Sequence, residues 1–234
     1  MSAIQCQWWG EVPYADAVAR QETLRDRVLD GEEPGFLVFV EHPAVITAGR
    51  HMPTTPEQKE FFAHHGVDLQ PSSRGGKLTY HGPGQLVIYP IVNLPSLRLG
   101  VRDCVAALSG GLMDWLKGYG VESEWREDAP GVWIQGEESK KIASVGLRIT
   151  RGVTLHGAAL NLSTQMSHFD LFEPCGFQGS IMTNLERVLG KTVPLLEAAH
   201  ELAPCIAARF GASLSPMDFL PAPSAFCQST ESAG

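Results

Sequence analysis

The sequence predicts a single α/β domain in which a mixed β-sheet is flanked by helices. The 234 residues, of which 44% are apolar and 19% charged, are enough for one packed core and argue against a disordered chain. Strand-like apolar runs alternate with segments of helical periodicity, and neither an internal repeat nor an inter-domain linker divides them. We therefore assign residues 1–212 to the domain and residues 213–234, rich in Ser, Pro and Ala, to a partly ordered C-terminal tail.

The helices are predicted from apolar residues that recur every three to four positions. These patterns cover residues 14–29, 101–116 and 195–210, with shorter ones at 53–66 and 181–189. Cys104 and Cys205 lie on apolar stripes and are assigned to the core. Pro204 falls inside its pattern, so we expect it to kink or split that helix.

Short runs of β-branched and aromatic residues predict the strands. They lie at residues 35–41, 44–50, 86–94, 131–135, 141–150 and 153–162. The run GFLVFVE at 35–41 is apolar almost throughout, which is typical of a strand buried on both faces. Because Pro90 has no N–H group, the strand at 86–94 is predicted to lie at a sheet edge or to carry a bulge.

Charge and cysteine usage narrow the class of protein. The net charge of −8 disfavours a nucleic-acid partner, which requires clustered Lys and Arg. No run approaches the roughly 20 apolar residues of a membrane helix, and the acidic N-terminal segment resembles neither a secretory signal nor a transit peptide. The five scattered cysteines form no CxxC pair, and the histidines show no metal-ligand spacing. We expect a cytoplasmic protein with no metal and no membrane partner.

The densest glycine region, RGGKLTYHGPGQ at 74–85, admits two interpretations. Glycine permits positive φ and has no side chain, so the backbone there can approach a ligand closely. Alternatively, these are the ordinary glycines of a tight hairpin loop. The run matches neither GxxxxGK[ST] nor GxGxxG before a helix, which argues against a phosphate-binding loop.

Cys175 stands in a loop motif, PCGF, rather than on an apolar stripe. A thiolate is a strong nucleophile toward acyl groups, and the neighbouring glycine leaves it approachable. The other interpretation is a semi-buried structural cysteine. A nucleophilic Cys175 needs a neighbour that favours its thiolate, and the candidates are His81, His156 and the lysines of the ESKKIASVGLRI segment.

Lys140 and Lys141 begin a predicted strand, where alternation directs their side chains to opposite faces. A lysine anchored on a buried strand lowers the pKa of a nearby thiol by its positive charge and, if partly desolvated, exchanges a proton with substrate. The alternative is a solvated lysine at a strand end, and spacing alone does not decide between them.

Three long motifs, in order along the chain, resemble one family. They are RGGKLTYHGPGQLVIYPIVNL, KIASVGLRITRGVTLHGAALNL and EPCGF, and the similarity extends over about residues 14–185 to include FLVFVEHPAVITAGR. They resemble the lipoyl(octanoyl) transferases, the octanoyl-[acyl-carrier-protein]:protein N-octanoyltransferases of lipoate biosynthesis. The resemblance implies a fold similar to the biotin and lipoate ligase catalytic domain. It also implies transfer of an octanoyl group from acyl carrier protein to a lysine of a lipoyl domain.

The resemblance carries roles over to individual residues. Cys175 of the PCG motif corresponds to the nucleophile that forms the acyl thioester, and Lys141 of the KIA motif to the lysine that lowers its pKa. The substrate-binding segments correspond to Arg74, Gly75, Gly76, Lys77, Leu78, Thr79, Tyr80, His81, Ser144, Val145, Gly146, Gly157, Ala158 and Ala159. We expect no cofactor.

The implied partners are octanoyl-acyl carrier protein and the lipoyl domains of 2-oxoacid dehydrogenase complexes and of the glycine cleavage H protein. A monomer is the default expectation. Both kinds of partner are typically acidic, as is this chain, so docking requires a local basic rim. The candidates for that rim are Arg50, Arg74, Lys77, Arg148 and Arg151.

Two other functions remain open at this stage. The first is a ligase of the lipoate or biotin type, which activates a free acid as its adenylate with ATP and Mg²⁺ and uses no cysteine. The second is a non-catalytic module that binds carrier protein or lipoyl domains without transferring anything.

Overall fold

A mixed β-sheet lies at the centre of the part of the chain that the computed structural model describes, residues 3–136, 138–172 and 181–219. The strands are β1 (Ile4–Glu11), β2 (Gly35–Glu41), β3 (Val45–Ala48), β4 (Asp68–Pro71), β5 (Leu78–His81), β6 (Gln85–Val92), β7 (Ser123–Arg126), β8 (Gly131–Ile134), β9 (Lys140–Thr150), β10 (Val153–Asn161) and β11 (Leu214–Phe219). The helices are α1 (Tyr14–Leu29), α2 (Pro56–His64), α3 (Leu94–Leu97), α4 (Val101–Gly118), α5 (Leu185–Leu189) and α6 (Leu195–Phe210), with a 3₁₀ turn at Met166–Leu171.

Within these residues, eight strands form the central sheet in the order β11-β1-β2-β6-β10-β9-β8-β7. The pairs β11–β1 and β1–β2 are parallel, and the remaining pairs are antiparallel. Strands β4, β3 and β5 form a small second sheet. The predicted α/β domain with a mixed sheet flanked by helices is confirmed.

Helices cover both faces of the central sheet and bury two apolar layers. On one face, α1 packs Ala17, Leu24 and Val28 against β2 and β6. On the other face, α4 and α6 pack against the same strands and β10, and this is the larger core. All three helices show the apolar stripe from which they were predicted. No helix within the described ranges is both long and apolar enough to cross a lipid bilayer.

The prediction that Pro90 marks a sheet edge or a bulge is wrong, because β6 lies between β2 and β10 and its register with β2 runs through Pro90 without a shift. The Pro90 carbonyl, and with it the nitrogen of the same residue, faces β10. There the Thr154 hydroxyl replaces backbone pairing: Oγ1 donates to the Pro90 carbonyl at 2.5 Å and accepts from the Val92 N–H at 3.0 Å. The β6–β10 register covers positions 85–88 of β6, so the missing N–H interrupts no pairing.

Two further expectations concern the C-terminal part of the chain. Pro204 does not split its helix, since α6 runs continuously through it. Buried residues on both sides of the proline, Leu202 and Ile206, pack in the same core and hold the two halves in place. Beyond residue 212, β11 adds a parallel strand to the outer edge of β1, and residues 220–234 lie outside the described residues.

Candidate functional site

A cavity of about 240 Å³ opens on the α1 face of the central sheet. It is bounded by the start of α1, the 74–81 segment and the strands β6, β9 and β10. Of the predicted substrate-binding residues, the lining contains Arg74, Gly75, Gly76, Lys77, Leu78, Thr79, His81, Ser144, Val145, Gly146, Gly157, Ala158 and Ala159, together with Lys141. Tyr80 is the exception: it faces away from the cavity and packs against Phe169 in a separate apolar cluster.

Glycines, which have no side chain, let the predicted substrate-binding segments approach one another closely. The Gly75 N–H donates to the Leu147 carbonyl at 3.2 Å, which brings the 74–81 segment onto β9. A Cβ on Gly146 would lie 3.3 Å from the Gly75 carbonyl oxygen, and one on Gly157 would lie 2.0 Å from the Ile88 carbonyl oxygen. Gly157 therefore permits a backbone approach that no other residue allows. Gly75 and Gly76 of the glycine-rich run line the cavity, and close approach of this backbone to a ligand stays a prediction.

Arg74 braces this segment from inside the protein. Its side chain is buried and donates to the Thr47 carbonyl at 2.6 Å, to Thr47 Oγ1 at 2.8 Å and to the Gly75 carbonyl at 3.0 Å. The expectation that Arg74 contributes to an exposed basic rim is therefore wrong, because the guanidinium is used to hold β3 and the loop together. Arg50, Lys77 and Arg151 are exposed, and Arg148 is half-buried.

The Lys141 side chain enters the cavity wall from β9 and is only 2% exposed. Its Nζ donates to the Pro130 carbonyl at 2.6 Å. Gly131 leaves room for it, since a Cβ there would lie 2.2 Å from Lys141 Cε and 3.0 Å from Nζ. The neighbouring Lys140 instead reaches the surface, where it forms an ion pair with Glu138 at 3.0 Å. Of the two lysines, Lys141 is the one that faces the cavity.

Cys175 belongs to residues 173–180, which lie outside the described residues. The chain re-enters the described structure beside Lys141: the Thr183 N–H donates to the Lys141 carbonyl at 2.9 Å, and Met182 forms a parallel bridge with the same residue. Leu171 and Phe172 on the preceding side pack in the apolar cluster that contains Met182. The described residues on the two sides of 173–180 thus pack in one region.

Histidines form the polar end of the cavity. His81 stacks on Tyr14, with ring centroids 5.9 Å apart, and its Nδ1 lies 2.8 Å from Gln85 Oε1. Burial, with added positive potential from His42 and Arg74, holds the pKa of His81 well below its usual value. Burial and the nearby arginines lower the pKa of His156 to about 4. Both imidazoles are therefore neutral at physiological pH.

His156 has an unusual backbone conformation. It lies within β10 with φ of +58°, a left-handed value that is rare in a strand. Its N–H donates to Gln21 Oε1 at 2.8 Å, and its Nε2 lies 2.9 Å from Ser73 Oγ. Gln21 has a polar side chain, yet it lies on the apolar stripe of α1 and is only 1% exposed. A polar residue on a buried stripe was the signal that could have identified it.

The cavity also contains residues that sequence reasoning did not assign to it: Tyr14, Val87, Tyr89 and Pro130. Tyr14 and Tyr89 lie on an apolar face of a helix and of a strand, so their spacing is indistinguishable from that of core residues. In the described part of the chain, no three His, Cys, Asp or Glu side chains converge as metal ligands would. The site thus combines an apolar slot, one buried ammonium and neutral histidines.

Sequence comparison places the chain among proteins of known type. Residues 13–207 match the family model of the lipoyl protein ligase A/B catalytic domain. An octanoyltransferase of Chromohalobacter salexigens is 38% identical over 213 residues, which cover 91% of this chain and 93% of the relative. An octanoyltransferase of Bacteroides fragilis is 36% identical over 206 residues, covering 83% of this chain and 92% of the relative.

Solved structures share the fold at lower identity. The crystal structure of a lipoate-protein ligase A bound with ATP superposes with a TM-score of 0.70 at 16% identity, covering 94% of this chain and 90% of that one. A biotin protein ligase from Aquifex aeolicus in complex with biotin and ATP gives 0.55 at 14% identity, covering 88% and 70%. These two likenesses support the predicted ligase-like fold. With its fold, its cavity and its family model in agreement, the chain belongs to the family of the lipoyl protein ligase A/B catalytic domain, together with these octanoyltransferases.

Proposed function

We propose that this protein is an octanoyltransferase of lipoate biosynthesis, which moves an octanoyl group from acyl carrier protein to a lysine of a lipoyl domain through a thioester on Cys175. The observation that carries the proposal is the buried Lys141 ammonium at the wall of a cavity with an apolar slot. The octanoyltransferase relatives, similar over most of the chain, support the same reaction.

The slot suits an alkyl chain. Its lining contains the apolar side chains of Leu78, Val87, Val145, Ala158 and Ala159. The neighbouring glycines leave space between them. Burying about seven methylenes contributes on the order of 5 kcal/mol at about 0.8 kcal/mol each. We propose that this slot holds the octanoyl chain and leaves its carbonyl at the polar end, near Lys141 and His81.

Three cysteines of the described residues are poor candidates for the nucleophile. Burial raises the pKa of Cys104 to about 12 and that of Cys6 to about 11, and it also raises the pKa of Cys205. None of the three lines the cavity. Cys175, in contrast, precedes by a few residues Met182 and Thr183, which pair with the Lys141 backbone. A positive charge beside its thiol favours the thiolate, which is the reactive form.

The two half-reactions balance as follows. First, the Cys175 sulfur attacks the thioester of the octanoyl carrier protein; a new C–S bond forms, the old one breaks, and the carrier leaves as its thiol. Second, the amine of the acceptor lysine attacks the Cys175 thioester, so that a C–N bond forms and the C–S bond breaks. The proton lost by the amine returns the leaving sulfur to the thiol. No ATP is consumed in either step.

The partners must dock at the mouth of the cavity. Lys77 lines the cavity and is exposed, and Arg50 and Arg151 are exposed as well. Arg148 is close enough to lower the pKa of His156. We propose that these residues supply the local positive potential that an acidic carrier protein or lipoyl domain requires, despite the overall charge of −8. We further propose that the protein acts in the cytoplasm as a monomer.

Intact mass spectrometry tests the thioester directly. After incubation with octanoyl-acyl carrier protein, the parent enzyme should gain one octanoyl group that a lipoyl domain removes, and Cys175→Ala should gain none. Lys141→Ala should form the adduct about a hundredfold more slowly, because the thiol loses the charge that ionises it. Raising the salt concentration should slow transfer from the carrier protein but not from an uncharged octanoyl thioester.

Lys140→Ala is the matched control, since it removes the adjacent lysine from the surface and should leave adduct formation unchanged. Full transfer by Cys175→Ala would exclude the covalent route. Turnover of free octanoate that depends on ATP would indicate a ligase instead. Binding of carrier protein without any transfer would indicate a non-catalytic module.

A further inference from the structure

A chain of buried hydrogen bonds leads from the cavity to the segment beside Lys141. His81 Nδ1 lies 2.8 Å from Gln85 Oε1. Gln85 Nε2 donates to Asn161 Oδ1 at 2.9 Å, and Asn161 Nδ2 donates to the Thr183 carbonyl at 3.0 Å. These four residues are between 1% and 7% exposed, so water does not compete for the bonds. Thr183 in turn donates its N–H to the Lys141 carbonyl.

The Thr183 carbonyl sets the direction of this chain, because a carbonyl oxygen only accepts. Asn161 must therefore turn its amide nitrogen toward Thr183 and its oxygen toward Gln85. Gln85 directs its nitrogen to that oxygen and also to the Tyr80 carbonyl, 3.1 Å away. Its own Oε1 is left facing His81. Since this oxygen also only accepts, the proton of the neutral imidazole sits on Nδ1 of His81.

The second ring nitrogen of His81, Nε2, is consequently unprotonated and can only accept a hydrogen bond. Its ring lines the cavity, and Nε2 has no hydrogen-bond partner among the residues that the structure describes. Burial keeps the pKa of His81 well below its usual value, so Nε2 stays unprotonated at physiological pH. The mechanism proposed above leaves this nitrogen without a role.

We propose that Gln85 and Asn161 are positioning residues that hold His81 as a hydrogen-bond acceptor, and that His81 Nε2 orients the attacking amine of the acceptor lysine. The inference rests on the proposed octanoyl transfer. An amine that donates one N–H to Nε2 keeps its lone pair free to point at the thioester carbon. The opposite tautomer would donate to that lone pair and block the attack. His81 itself gains and loses no proton in the step.

These hydrogen bonds also fix the orientation of the His81 imidazole. One end of it is the imidazole, and the other end is the segment that pairs with the Lys141 strand. The orientation of His81 is thereby tied to the framework that carries Lys141. Gln85 and Asn161 sit directly opposite each other in the β6–β10 register, which places their amides in contact across the two central strands.

The ¹⁵N signals of the His81 imidazole, measured at neutral pH in the full-length enzyme, test the tautomer. We expect a protonated Nδ1 and a bare Nε2. Gln85→Glu places a carboxylate on Nδ1, which stabilises the imidazolium and should protonate Nε2 over a wider pH range. Gln7→Glu is the matched control, because Gln7 is also buried but accepts from Trp9 on β1, and it should leave the His81 signals unchanged.

Single-turnover transfer from the preformed octanoyl-enzyme to a lipoyl domain tests the role of Nε2. His81→Ala should slow this aminolysis by about tenfold, the loss of one hydrogen bond to the reacting amine, and slow it more than it slows thioester formation. The rate of Gln85→Glu relative to the parent should fall toward acid pH and recover toward alkaline pH. Gln7→Glu should reproduce the parental pH profile.

An Nε2–H tautomer in the parent, or parental aminolysis by His81→Ala, would overturn this inference while leaving octanoyl transfer intact. A parent enzyme that forms no octanoyl thioester would instead overturn the proposed function. If His81→Ala fails to fold, the imidazole signals and the pH profile of Gln85→Glu still decide.

Discussion

At the scale of single residues, Lys141 shows how the protein holds a charge inside. An isolated ammonium removed from water is strongly destabilising, so its side chain requires partners. The Pro130 carbonyl accepts from Nζ at 2.6 Å, and a bond to a charged donor contributes about 1.5–3 kcal/mol. The absence of a side chain at Gly131 lets Cε and Nζ lie against the backbone. Gly131, which is not among the residues that line the cavity, thus determines where the charge can sit.

The space at Gly131 gives a prediction for activity. In Gly131→Ala, the new methyl group would overlap Lys141 Cε and the Ala143 carbonyl, so the ammonium must move. We expect octanoyl transfer to fall about tenfold for each unit by which the reactive thiol's pKa rises. The measurement is the rate of thiol alkylation against pH, together with transfer. Gly136→Ala, where the nearest atom to the new Cβ is 4.0 Å away, should behave like the parent; equal effects at both glycines would contradict this account.

At the scale of elements, β10 builds the cavity by departing from regular pairing. Its register with β6 covers only Ala158 to Asn161. Before that point the Thr154 hydroxyl takes over the hydrogen bonds, and His156 adopts its left-handed φ. Such backbone strain costs on the order of 1–3 kcal/mol and persists only where the surroundings enforce it. Here the Gln21 side chain enforces it, by accepting from the His156 N–H.

The contact between α4 and α6 depends on close approach of the two helices. A Cβ on Gly111 of α4 would lie 2.7 Å from Ile206 Cα, which is backbone and cannot rotate away. We predict that Gly111→Ala destabilises the protein by about 1–3 kcal/mol through overpacking. Urea unfolding of this variant and of Gly118→Ala checks the prediction. Gly118 lies in the same helix with open space around it, so alanine there should leave stability unchanged or raise it by about 0.5–1 kcal/mol.

At the scale of the whole molecule, buried neutral histidines make stability depend on pH. Burial lowers the pKa of His42 to about 4, as it does that of His156, and it holds the pKa of His81 well below its usual value. Unfolded histidines titrate near pH 6.5. Between pH 6.5 and about 4, these histidines therefore bind protons in the unfolded chain but not in the folded protein. Stability is fully present above pH 6.5 and is lost as the pH falls.

The slope of this loss is measurable. Each such histidine contributes up to about 1.4 kcal/mol per pH unit, so the free energy of unfolding should decline steeply between pH 6 and pH 5. His42→Gln should reduce the slope by about that amount, whatever its effect at pH 7. His64→Gln, at an exposed histidine of α2, should leave the slope unchanged. Urea titrations at a series of pH values give both slopes, and equal slopes in the two variants would contradict this origin of the pH dependence.

Local pattern alone determined a large part of this protein. The stripes of α1, α4 and α6, the buried run of β2 and the glycine-rich run at 74–85 each reflect interactions between near neighbours in the chain. The motif resemblance added the family and every cavity-lining residue of the 74–81, 144–146 and 157–159 segments, and only Tyr80 of the predicted residues there does not line the cavity. Periodicity and composition could not have distinguished Lys141 from Lys140 by themselves, although alternation placed the two on opposite faces.

Only the tertiary structure decided the features that depend on contacts between distant segments. Pro90 is tolerated in an interior strand because its nitrogen faces a stretch of β10 where the Thr154 hydroxyl, and not backbone pairing, makes the hydrogen bonds, and no local signal reports a partner that far along the chain. Arg74 is a buried brace rather than a surface charge because Thr47 lies beside it. The tautomer of His81 is set by the carbonyl of Thr183 through the two buried amides of Gln85 and Asn161, which lie on neighbouring strands. A sequence records which groups can donate and accept, and the fold determines which of them meet.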